Sequence, residues 1–253
     1  MRIGFFGCSF TEGGGLDSLE WNDYALKNNL ISDDWDIKKS ISDYHRDHHI
    51  EDRYDLVTQY RDKYRFSNLV GEKLDCKTKN HSESCNSNEH ILNELHNNLE
   101  NYDIFVVQLT LLNRVHWYYE PTQKFYNINN FDFSNHPYND NPKLKKLAKH
   151  YEDWCTYIYN VEQVREQIHR QVQYFNSLGK KIYWITWDDF DNIKEEKNLI
   201  KFKSEVNDIC LSKYSYENGT HFTELTNGVY HDSHLSPEGH QIVADKIIRS
   251  INV

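Results

Sequence analysis

The chain has 253 residues, enough for one large domain, and 39 acidic against 29 basic side chains give it a formal net charge of −10. A general binder of nucleic acid or of an anionic membrane needs a basic face to neutralise phosphates, and this balance argues against both. The five cysteines (Cys8, Cys76, Cys85, Cys155 and Cys210) are odd in number and form no C-x-x-C pair, so neither a disulfide framework nor a zinc site is expected.

In chain order, residues 2–7, "RIGFFG", read as a short buried strand closed by glycine. About five apolar residues fall short of the roughly seven to fifteen of a secretory signal. No stretch approaches the roughly 20 apolar residues of a membrane span. A cytoplasmic protein is the expectation. Residues 12–65 are polar and weakly periodic, and read as a long insertion. "SNLVGEKLD" (67–75) suits a helix capped by serine. "CKTKN" is a poor strand by composition but stands where a second strand is due. "SNEHILNELHNNLENY" (87–102) is a helix with Ile91, Leu92, Leu95 and Leu99 on one face.

"DIFVVQLTLL" (103–112) is the strongest strand. Residues 113–150 form a second polar, aromatic-rich insertion. A long helix is expected over about 151–178, from Trp154, Ile158, Val161, Ile168, Val172 and Phe175, with Gly179 as its C-terminal stop. "KKIYWITW" (180–187) and, more weakly, "THFTEL" (220–225) are strands. The last helix starts at "SPEGHQIVADKIIRSI", with Ser236 as cap and Pro237 in the first turn. No internal repeat or low-complexity linker breaks the chain, so 1–253 is read as a single domain.

Strands alternating with helices predict an α/β fold with a parallel sheet covered on both faces. Reactive groups in such folds gather beyond the carboxyl ends of the strands. Ser9 follows the first strand, and "HDSHLSPEGH" follows the last. Serine after a strand is ordinarily a cap or turn residue, and a polar loop before a capped helix is equally ordinary. Asp232 and His234, two apart before a helix, have the makings of a general base and its orienting acid, and a serine hydroxyl needs both to become a nucleophile.

Together the two ends resemble the SGNH, or GDSL-type, hydrolase family. Its first block runs Gly-Asp-Ser-Leu/Phe-Thr after a strand, and here stands Gly7-Cys8-Ser9-Phe10-Thr11. Its last block carries an Asp shortly before a His, and here stands Asp232-Ser233-His234-Leu235-Ser236-Pro237-Glu238-Gly239-His240. "FSNLVGEKLDCKTKNHSESCNSNEHI" is similar to the stretch leading into the second block. The resemblance covers roughly 1–11, 66–112 and 180–253. It implies a three-layer α/β/α sandwich around a flavodoxin-like parallel sheet of about five strands. It also implies a Ser9–His234–Asp232 triad acting on an ester, with no cofactor. The chain departs from the family where Cys8 replaces Asp, Cys85 stands at the oxyanion-hole glycine, and "QLTLLNR" replaces Gly-x-Asn-Asp. The oxyanion donors implied are the N–H groups of Ser9 and Cys85 and an amide from Asn113 or Asn88. A small-molecule or carbohydrate ester is the implied substrate, a carbohydrate O-deacetylase being one form. Nothing in the sequence sets the oligomeric state.

Alternatives stay open. The same fold with a decayed site would be a binding or structural protein. Gly13, Gly14 and Gly15 after a strand suggest an anion-cradling loop for a nucleotide or flavin, although the spacing matches no phosphate-binding fingerprint. "DYHRDHH" offers His45, Asp47, His48 and His49 as metal ligands, and is more simply a solvated face. "TWDDFDN" places Asp188, Asp189 and Asp191 after a strand, where a polar loop is the plainer reading. His240 is read as structural. Abundant Lys, Asn, Ile and Tyr suggest an AT-rich genome, bacterial or viral.

Overall fold

The computed structural model describes residues 1–14, 16, 61–84, 86–112, 114–119, 124–128, 161–187, 190–194, 196–202, 234–235 and 237–251. Strand β1 (Arg2–Phe6) leads into a one-turn helix α1 (Ser9–Glu12), followed by α2 (Phe66–Lys73), β2 (Lys77–Asn80), α3 (Asn88–Asn97) and β3 (Ile104–Leu109). A two-stranded antiparallel pair, β4 (Val115–Tyr119) and β5 (Lys124–Ile128), comes next. Then follow α4 (Val161–Ser177), β6 (Lys181–Thr186), a 3-10 turn at Asp191–Ile193 and α5 (Pro237–Ile251).

Four strands form a parallel sheet in the order β2-β1-β3-β6, an α/β arrangement. The chain leaves β1 toward β2 on one side and builds β3 and β6 on the other. The order therefore reverses between β1 and β3, where parallel sheets open a crevice at their carboxyl edge. Past β6, among the described residues, there is one isolated parallel bridge, Trp184 to Leu199. The weak strand expected at 220–225 lies outside the described residues.

Alternation along the strands divides the core in two. Ile3, Phe5, Ile104, Val106 and Ile185 face one way, against Phe66 and Val70 of α2 and Val243, Ala244 and Ile247 of α5. Phe6, Phe105, Val107, Ile182 and Trp184 face the other, against Ile91, Leu92 and Leu95 of α3 and Ile168, Val172 and Phe175 of α4. Strand β3 is buried along its whole length, as its apolar run demands. Strand β2 forms despite its composition, because it sits at the sheet edge with alternate residues exposed.

Three expected details change. Ser67 is not the cap of the second helix: α2 begins one residue earlier, at Phe66, with Arg65 as its N-cap residue. In α4 the buried residues are Ile168, Val172 and Phe175, with Val164 packed partly buried beside them, while Val161 is 40% exposed. The second insertion holds the β4–β5 pair, where the sequence suggested no strand. Gly179 does end α4 with a positive φ of 69°, and Ser87 caps α3 by accepting the His90 N–H at 3.2 Å. The two ends of the first polar segment meet: Arg61 pairs with Glu12 at 3.0 Å, and Arg65 donates to the Glu12 carbonyl at 3.4 Å. Among the described residues, no helix is long and apolar enough to cross a membrane.

Candidate functional site

Ser9 begins α1 directly beyond β1, with Cys8 in extended conformation as its N-cap residue. Gly7 ends the strand because nothing larger fits. A Cβ there would collide with Thr11 Oγ1 and stand 3.1 Å from Gln108 Cβ. The Thr11 and Glu12 amides turn back to the Cys8 carbonyl at 3.0 and 2.9 Å. The first-turn N–H groups of Ser9 and Phe10 have no intrahelical acceptor, as in any helix start.

His234 arrives from the far end of the sequence. Its neighbour Leu235 is fully buried in the α2–α5 face of the core, and α5 follows at Pro237. This anchoring brings His234 Nε2 to 2.8 Å from Ser9 Oγ, across 225 residues of sequence. Ser9 is 7% exposed and His234 is half-buried, so the contact is partly shielded from water. The His234 ring packs against Phe10 with centroids 4.6 Å apart, and Phe10 stacks in turn on Trp187 at the end of β6. The Trp187 N–H holds the Leu109 carbonyl at 2.9 Å, tying β6 to the end of β3.

The glycines after α1 have defined places. Gly13 takes a left-handed conformation (φ 89°) and closes the turn. Gly14 is where the His234 ring needs room: a Cβ there would lie 2.9 Å from both Cδ2 and Nε2. Both glycine amides donate to the Ser9 carbonyl, at 2.9 and 2.6 Å. Those two N–H groups therefore point into the turn rather than toward a bound anion, which runs against the phosphate-cradle alternative. Gly15 lies outside the described residues.

Behind Ser9 is a buried polar layer. Gln108, 1% exposed in the middle of an apolar strand, accepts from the Thr11 hydroxyl and donates to Cys8 Sγ at 3.5 Å. The Asn86 amide donates to the Gly7 carbonyl at 3.1 Å, and the Asn80 amide to the Thr11 carbonyl at 2.7 Å. The one sequence signal for this layer is a glutamine interrupting "IFVVQL".

Asn88, an expected oxyanion donor, is placed otherwise. Its Oδ1 accepts the Thr110 N–H at 2.8 Å, and its Nδ2 donates to the Thr110 and Leu111 carbonyls at 3.0 and 3.4 Å. Both ends of the amide thus secure the backbone after β3. Cys85, Asn113 and Asp232 lie outside the described residues, as do His45, Asp47, His48, His49, Asp188 and Asp189. Asp191 opens the 3-10 turn after β6. Among the described residues, no group of three or more His, Cys, Asp or Glu could hold a metal ion.

His240 is fully buried on α5, and its Nδ1 accepts the Phe66 N–H, the first amide of α2, at 3.3 Å. It serves as a tertiary cap for a helix whose own N-cap residue, Arg65, makes no side-chain cap bond. Burial pushes its pKa down to about 3, with the His234 ring and the Arg65 cation adding to the effect, so His240 is neutral. Comparison of the chain with protein-family models, with curated proteins and with solved structures gives no match.

Proposed function

We propose that the chain is a serine ester hydrolase of SGNH type, with Ser9 as nucleophile, His234 as general base and acid, and Asp232 orienting the imidazole. On this reading the four-stranded sheet belongs to a three-layer sandwich of about five strands. The observation that carries the reading is the 2.8 Å contact between His234 Nε2 and Ser9 Oγ. That is hydrogen-bond reach for a nucleophile and its base.

With the imidazole proton on Nδ1, Nε2 accepts the Ser9 proton as Oγ attacks the ester carbonyl carbon. The negative charge moves to the carbonyl oxygen, where the Ser9 N–H is a first-turn donor aimed out of the helix start. His234 then passes its proton to the leaving alcohol oxygen as the C–O bond breaks, which leaves an acyl-Ser9. Water attacks that acyl group, gives its proton to His234, and the acid departs as Ser9 recovers its hydrogen. Carbohydrate O-acetyl groups fit the reaction class, and the aromatic-rich second insertion supplies side chains of the kind that stack on sugars.

A serine-reactive fluorophosphonate probe tests this. It should label the wild-type protein, and Ser9→Ala should lose all labelling while keeping its circular dichroism. Folded wild type that takes no label would remove the hydrolase reading. A second reading, a non-catalytic binder on the same fold, is favoured by the Asn88 amide, whose Oδ1 and Nδ2 are both engaged with the backbone of Thr110 and Leu111.

A further inference from the structure

Arg114 stands at the carboxyl edge of the sheet, in the turn after β3, and donates from Nη1 to Thr110 Oγ1 at 2.9 Å. Thr110 is fully buried, and Asn88 grips its backbone on both sides. The guanidinium is thus held by a rigid support. The other half-buried arginines, Arg61, Arg65 and Arg165, each face a carboxylate, from Glu12, Asp62 and Glu162 respectively. Arg114 faces none among the described residues, in a chain whose acids outnumber its bases by 39 to 29. A guanidinium partly withdrawn from water, with donors beyond the one given to Thr110, is suited to receive an anion through its planar fork.

Its position bears on which anion it would take. Gln108 reaches Cys8 and Thr11 on either side of Ser9, so the end of β3 lies beside the nucleophile turn. Thr110 is two residues further on, about 7 Å along a strand. A short acyl chain spans a step of that order. One guanidinium also matches the single charge of a carboxylate, which it binds through two parallel N–H donors.

We infer that Arg114 selects the substrate of the Ser9 site by binding a carboxylate on it, so that the preferred esters are half-esters of short dicarboxylic acids or esters of acidic sugars. This rests on the hydrolase reading above. The test compares mono-p-nitrophenyl glutarate with uncharged p-nitrophenyl pentanoate, which has the same acyl length. Wild type should show a KM about 10- to 100-fold lower for the glutarate ester, the range of a charge-assisted hydrogen bond. Arg114→Gln should raise that KM until the two esters are nearly equal, and Arg114→Lys, a point charge without the fork, should recover part of the preference. Equal KM values in wild type would overturn the inference. So would a fall in kcat on both esters alike in Arg114→Gln, which would mark a transition-state donor instead. Glutarate binding by calorimetry separates the anchor from the chemistry. If fluorophosphonate fails to label wild type, tight glutarate binding that weakens at least tenfold in Arg114→Gln still upholds the anchor. Equal binding by the two proteins refutes it.

Discussion

The contact between Ser9 and His234 is set by what surrounds the imidazole ring. The His234 ring is bounded by Ser9 on one side, by Phe10 at 4.6 Å and by the bare α-carbon of Gly14. Gly14 is therefore as much a determinant of the Ser9–His234 distance as either partner. Gly14→Ala places a methyl carbon 2.9 Å from Nε2 and 3.2 Å from Ser9 Cβ, inside van der Waals contact with the ring, so the Ser9–His234 geometry is disturbed. A displacement near 1 Å costs on the order of 100-fold in rate. The expected result is a fall of that size in fluorophosphonate labelling rate, with the urea midpoint within about 1 kcal/mol of wild type. An unchanged labelling rate would show that the ring has slack on that side.

At the scale of elements, the candidate site stands where β1 and β3 end and just before α5 begins, and polar side chains fasten the first two ends and the α1 turn between them. Gln108 fastens the α1 turn, Asn86 the end of β1, and Asn88 the end of β3. Most of the elements were legible from the sequence, because apolar runs and 3.6-residue stripes report burial directly. The fasteners were not. A buried Asn or Gln looks like any surface polar residue until tertiary structure supplies its partner. Asn88 shows the difference: its sequence position suggests an oxyanion donor, and its contacts make it a clamp. Asn88→Ala leaves the buried N–H and C=O of Thr110 without partners, at roughly 1–3 kcal/mol each. Urea unfolding should lose about 2–4 kcal/mol, and the protein that remains folded should retain its labelling rate at Ser9. A selective loss of rate with unchanged stability would return Asn88 to the oxyanion hole. The β4–β5 pair went unread for the opposite reason: its strands carry no clean polar–apolar alternation, so only backbone pairing declares them.

For the whole molecule, the decisive event is closure, in which the last helix docks on α2 and carries His234 to the first strand. Apolar contacts of Val243, Ala244 and Ile247 with the α2 face of the core supply its affinity. His240 supplies a polar latch, Nδ1 accepting the Phe66 N–H at 3.3 Å. That latch works only with Nδ1 unprotonated. In the folded protein the His240 pKa is lowered to about 3 by burial and by the nearby His234 and Arg65, against an ordinary value of about 6.5 when unfolded. Between those two values the unfolded chain binds a proton that the folded one refuses, so stability rises with pH across that window. Its contribution is complete above about pH 6.5 and is lost progressively as pH falls toward 3. From pH 7 to pH 5 the loss attributable to His240 is about 2 kcal/mol, at about 1.4 kcal/mol per unit. His240→Gln removes the titration while keeping an acceptor in the side chain. Urea unfolding followed from pH 7 to pH 5 should therefore give a shallower decline for the variant than for wild type, by about that amount. Parallel declines would mean that His240 accepts its proton without opening the α2–α5 contact, and the latch would then have no part in closure.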